Sequence, residues 1–176
     1  MKTQIFTLLF SLCIGLLSAQ TFTTFTTQNG IPSLFPTETV KTVAPNTKNV
    51  YSTNNGIPDI FPNQVIKTNP NTGTKSVYNT SNGIPEITAA QVMKPNTFGG
   101  YDVFDTSNGI PNISPSKSIK SNPQGGFDIF PTQNGIPAMT PSQSIHPSIQ
   151  GFDVIQYNNG IPELFPSKVI KVKDKP

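Results

Sequence analysis

From Phe22 onward the apolar residues of the chain recur in a fixed phase instead of gathering into long runs. Segments such as YDVFDT (residues 101–106) and FDIFPT (residues 127–132) are rich in aromatic and β-branched residues interleaved with polar ones, which reads as a strand. Each ends in Asn-Gly-Ile-Pro. Asn-Gly between two extended segments predicts a two-residue type I′ hairpin turn, whose central residues both need positive φ. The predicted turn pairs are Asn29–Gly30, Asn55–Gly56, Asn82–Gly83, Asn108–Gly109, Asn134–Gly135 and Asn159–Gly160. Farther on, runs such as QVIK and KSIK read as a second short strand, with a single helical turn as the rival. No stretch keeps apolar residues at helical spacing over a helix's length, so almost no helix is expected after the first segment.

With the Asn of each motif as position zero, the six copies align without gaps from −7 to +12, and successive motifs are 26, 27, 26, 26 and 25 residues apart. Position +5 is always large and apolar (Leu34, Ile60, Ile87, Ile113, Met139, Leu164), and so is +11 (Val40, Ile66, Met93, Ile119, Ile145, Ile170). Length varies only in Pro-, Gly- and Asn-rich linkers, which are turn-like. A period of this size marks a repeat architecture. Ile at +2 and the later apolar positions are expected to form the core. Pro at +3, and at +7 in five copies, leaves the second strand short of donors, so it suits an edge and fits poorly in the middle of a sheet. A single module carries too few apolar side chains to offset the ordering of its backbone, so the modules are expected to share a core. The expected fold is all-β: six β-hairpin-like repeats of about 26 residues, closed into a barrel- or propeller-like ring or strung into an extended array.

The first segment, MKTQIFTLLFSLCIGLLSAQ, has the charged, apolar and small-residue parts of a secretory signal peptide, assigned to residues 1–19. Residues 20–176 are then one repeat domain, expected to be secreted, at the cell surface or periplasmic, and not inserted in a membrane. Cys13, the one cysteine, falls in the signal segment. Eleven lysines face nine acids in the remainder, with no arginine, which argues against nucleic acid as a partner.

Candidate chemistry is sparse. His146 stands where other copies carry Lys41, Lys67, Lys94, Lys120 and Lys171, so it reads as a substituted surface cation. Asp102, Asp128 and Asp153 share position −6, but Thr23, Asn49 and Ser76 hold it in the earlier copies, against a repeated calcium site. Asp59, Glu86 and Glu163 at +4 could be drawn into carboxylate pairs, yet no base, nucleophile and orienting group cluster, so no enzyme, cofactor or metal is expected. The aromatics Phe25, Tyr51, Tyr78, Phe104 and Phe130 at −4 could stack on sugar rings, with core packing as the favoured alternative. The threonines at −2 (Thr27, Thr53, Thr80, Thr106, Thr132) could order water or stabilise a sheet.

Multiplicity without chemistry leads to the expectation of a secreted, non-enzymatic repeat protein with a structural, adhesive or matrix role. Its partner would be itself or an extracellular polysaccharide or cell-surface component. The alternatives are a multivalent, lectin-like carbohydrate binder and disordered surface material.

Overall fold

The computed structural model describes residues 21–173, so the segment read as a signal peptide lies outside the described residues. Each module supplies a long strand, a two-residue strand across the hairpin turn, and a second long strand. They are β1 (Thr21–Gln28), β2 (Ile31–Pro32) and β3 (Glu38–Ala44), then β4 (Thr47–Asn54), β5 (Ile57–Pro58) and β6 (Gln64–Thr68). The third and fourth modules give β7 (Lys75–Ser81), β8 (Ile84–Pro85) and β9 (Gln91–Pro95), and β10 (Tyr101–Ser107), β11 (Ile110–Pro111) and β12 (Lys117–Ser121). The last two give β13 (Phe127–Gln133), β14 (Ile136–Pro137) and β15 (Gln143–Ser148), and β16 (Gly151–Asn158), β17 (Ile161–Pro162) and β18 (Lys168–Lys173). No helix occurs among the described residues, which settles the QVIK-type runs as strands.

The twelve long strands form an antiparallel meander that closes when β18 pairs with β1, from Thr21↔Lys173 to Thr26↔Lys168. The chain is therefore a closed all-β barrel with six short hairpin tips outside it. Closure leaves no unpaired edge among the long strands, so the barrel itself protects the ends of the repeat. The register is uniform. Within a module −5 pairs with +9, as in Val103↔Lys117, and +9 then pairs with −3 of the next module, as in Lys117↔Pro131. Each module thus slips the register by two residues, and the circuit slips by as many residues as there are strands. That ratio matches the eight-stranded α/β barrel, whose strands tilt by about 36° and whose interior is filled in layers from alternate strands.

Two such layers make the core: −5 (Val50, Val77, Val103, Ile129, Val154) and +11 (Val40, Ile66, Met93, Ile119, Ile145, Ile170), with Phe22 beside them. These residues are at most 2 % exposed and form one cluster, so the lumen is packed and is no channel. In the first module Thr24 takes the −5 place, fully buried.

The expected core needs correction at two positions. Ile at +2 is 70–73 % exposed in every copy, and +5 is 85 % exposed or more. The reason is the path of the chain after the turn. The second half of the module is split into a two-residue strand at the tip and a barrel strand from +9, and the segment between them leaves the sheet, in the third module too, where Ala89 stands at +7. Of the three apolar positions only +11 lies in the core. The −4 aromatics also stand outside the core: alternation along the strand turns −5 inward and −4 onto the outer wall, half-buried.

Candidate functional site: an apolar crown over a polar mouth

Each tip is built by its turn. Asn at position zero has φ of 48–53° and Gly at +1 has φ of 80–83°, the pair of positive φ values that a type I′ turn requires. The pairs −1↔+2 and −2↔+3 follow, as in Ser107↔Ile110 and Thr106↔Pro111. Beyond them the chain bends, and two backbone bonds hold it to its own first strand, as with Asn112 N–H to the Asp105 carbonyl and Ser116 N–H to the Val103 carbonyl.

Neighbouring tips are tied together. The Thr106 N–H donates to the Ala90 carbonyl and the Thr106 hydroxyl to the Ala89 carbonyl, both in the preceding module. Thr27, Thr53, Thr80 and Thr132 repeat this clamp, and Thr27 reaches back to Pro166 across the closure. The threonine column is thus a set of inter-module bolts. The +6 side chain also lies against the turn glycine of the next hairpin: Phe35 on Gly56, Phe61 on Gly83, and Phe165 on Gly30. A Cβ on Gly83 would fall 2.8 Å from Phe61 Cδ1.

The result is a crown of six tabs at one end of the barrel. It exposes the isoleucines at +2 (Ile31, Ile57, Ile84, Ile110, Ile136, Ile161) and the large apolar residues at +5, with Phe35, Phe61 and Phe165 half-exposed behind them. At about 60–120 Å² of apolar surface per side chain, the area equivalent to 1.5–3 kcal/mol at 25 cal/mol/Å², the twelve residues at +2 and +5 present roughly 700–1,400 Å². That exceeds the few hundred Å² of the largest apolar patch on an ordinary monomer. Between the second and third tabs lies a recess of about 670 Å³, lined by Ile57, Ile60, Phe61 and Thr80 among others. The only charges on the tabs from −1 to +8 are Asp59, Glu86 and Glu163.

Below the crown the barrel mouth is polar. Its side chains come from +9 (Glu38, Gln64, Gln91, Lys117, Gln143, Lys168) and from −3 of the adjoining strands. Gln64 donates to Asn79 (3.1 Å), Gln91 to Asp105 (2.7 Å) and Gln143 to Gln156 (3.0 Å). Burial pushes the Glu38 carboxyl up to about 8, and Lys168 pulls it back by less. Burial lowers the ammonium groups of Lys117 and Lys168, opposed by Asp105 and Glu38 respectively.

On the outer wall the lysines at +12 lie over the −4 rings of the next module: Lys41 over Tyr51 (5.3 Å), Lys67 over Tyr78 (5.2 Å), Lys94 over Phe104 (4.9 Å), Lys120 over Phe130 (4.9 Å) and Lys171 over Phe25 (5.0 Å). Where the lysine is replaced by His146, the −4 residue of the next module is Ile155. Cation and ring are present or absent as a pair, as an energetic coupling between them would require. The three −6 aspartates do not converge on one another. Asp102 accepts from Ser118 (2.8 Å) and Asn96 (3.1 Å), and Asp128 from Ser144 (2.6 Å) and Asn122 (3.0 Å), each pinning a neighbouring strand or linker. No group of three His, Cys, Asp or Glu able to hold a metal ion occurs among the described residues.

The sequence-derived sugar-stacking residues Phe25, Tyr51, Tyr78, Phe104 and Phe130 therefore circle the barrel wall under lysines, away from the crown. The crown residues were assigned to the core by their apolarity alone. For +5 the available signal was proline: in five copies that side chain lies between Pro at +3 and Pro at +7 and belongs to neither strand, whereas Ile at +2 is paired in the tip strand and carried no such signal.

No family model, curated protein or solved structure matches this chain.

Proposed function

We propose that the chain is a secreted, non-enzymatic repeat protein with an adhesive or structural role outside the cell, and that its working surface is the apolar crown. One contrast within each tab carries this. Position +4 varies freely among Ser33, Asp59, Glu86, Asn112, Ala138 and Glu163, as solvent-facing residues do. Positions +2 and +5, equally exposed, stay apolar in all six copies. Internal packing does not account for that restriction, because these side chains pack on little, whereas an external contact does. The remainder of the barrel fits the same role. Its two apolar layers face the lumen and its wall carries Lys and Asp beside the −4 rings, unlike the polar lumen and lipid-facing apolar band of a membrane-spanning barrel.

The test is a variant with all six +5 residues changed to serine: Leu34→Ser, Ile60→Ser, Ile87→Ser, Ile113→Ser, Met139→Ser and Leu164→Ser. Its circular dichroism and melting temperature should stay close to wild type, while adsorption to alkyl-coated particles drops by roughly tenfold or more. Undiminished adsorption by the folded variant would overturn the proposal.

Multivalent carbohydrate binding draws on one observation, the ring of −4 aromatics on the outer wall. A sugar stacking there would have to displace a lysine from each ring. Saturable binding on a glycan array that is lost with Phe104→Ala and Phe130→Ala would favour it over the crown.

A further inference from the structure

We infer that the crown's partner is a second copy of the chain, met head to head with the two rings of tabs facing each other across a two-fold axis. The inference rests on the crown being a contact surface and names what it contacts. The apolar area of the twelve side chains, roughly 700–1,400 Å², matches the ~800 Å² that each partner gives to a standard stable interface. The charges point away from other occupants. The tabs carry three acids and no lysine, so an anionic lipid surface would be repelled, whereas a second apolar ring of the same diameter and spacing is matched by construction.

Charge also selects the register. A two-fold axis perpendicular to the barrel reverses the order of the tabs, so each tab-on-tab register fixes which tabs meet. The acids stand on the second, third and sixth tabs. Only one tab-on-tab register keeps every acid off another acid. It sets the second tab on the fifth, the third on the fourth and the sixth on the first. Asp59 then faces Ala138 of the other copy, Glu86 faces Asn112 and Glu163 faces Ser33. Every other tab-on-tab register sets at least one acid against an acid, which like-charge repulsion disfavours.

The experiment combines light-scattering mass measurement with disulfide trapping in the mature chain. Cys13, the chain's one cysteine, lies in the segment read as a signal peptide, so introduced pairs report without background. The expected result is a dimer that dissociates on dilution and is absent in the six-serine variant. Asp59→Cys with Ala138→Cys should trap it roughly tenfold faster or more than the off-register pair Ser33→Cys with Ala138→Cys, which keeps all three acids, through the effective concentration of facing tabs. A monomer at every concentration overturns the inference, as does a dimer that survives in the six-serine variant. Off-register trapping at the same rate overturns the register. A monomeric wild type that still adsorbs to alkyl-coated particles, with adsorption lost in the six-serine variant, sinks self-pairing alone. A wild type that neither pairs nor adsorbs sinks the adhesive proposal as well.

Discussion

Thr24 and Glu38 face each other across the first hairpin, next to the closing ladder, and both depart from the pattern of the other modules. Thr24 is fully buried with its hydroxyl unpartnered, at a position where the other copies carry Val or Ile. Thr24→Val keeps the shape and removes a buried polar group that would otherwise need a hydrogen bond, so it should raise stability by about 1–3 kcal/mol in denaturant unfolding. Glu38 makes a prediction in pH. Its folded carboxyl is raised to about 8 from 4.5, so the folded state holds a proton that the unfolded state has released. The associated stability is fully present below pH 4.5 and is lost as pH rises through 8, by up to about 1.4 kcal/mol per unit within that window. Glu38→Gln stays neutral throughout. Its melting temperature relative to wild type should therefore climb steadily between pH 4.5 and 8 and level off above, whereas a parallel pair of curves would show that Glu38 is not the titrating group.

At the scale of the element, what could be read in the sequence depended on whether a local rule or a long-range contact decides. The Asn-Gly turn was legible because positive φ at two successive residues leaves few alternatives, and all six pairs adopt it. The strand at −7 to −2 was legible from its composition, and the short strand at +9 to +12 from its apolar centre. The apolar residues at +2 and +5 misled for a physical reason: hydrophobicity reports what a side chain avoids, and says nothing of whether this chain or another surface covers it. The −4 aromatics misled differently. Only the strand phase set by the buried −5 column shows that −4 points outward, and only the fold shows that each ring lies beneath a lysine from the preceding module. The recess between the second and third tabs and the polar mouth were not legible at all, since each joins residues of successive modules that only the fold brings together.

At the scale of the whole molecule, closure decides between the architectures that the repeat allowed. Thr21 and Lys173 are cross-strand partners, so the two ends of the described chain meet within one strand spacing, about 5 Å. In a ring with near-equal joints, the position of the chain break carries little weight. A permutant that joins residue 173 to residue 21 through a short Gly-Ser linker, with new ends between Asn71 and Thr72 in an exposed turn, should keep its β-sheet spectrum and melt within about 5 °C of the parent. Removing the sixth module, from Gly151 onward, should do far more than remove a sixth of the stability. It leaves β1 and β15 each with one open edge and opens the core cluster to water, so the shortened chain should lose cooperative monomeric unfolding and associate through the exposed edges. An open array behaves the opposite way in both tests. Its distant ends could not be joined without distortion, and trimming one terminal repeat would lower stability only in proportion to the interface lost. Thermal unfolding of the two variants side by side therefore distinguishes a closed barrel from a string of repeats.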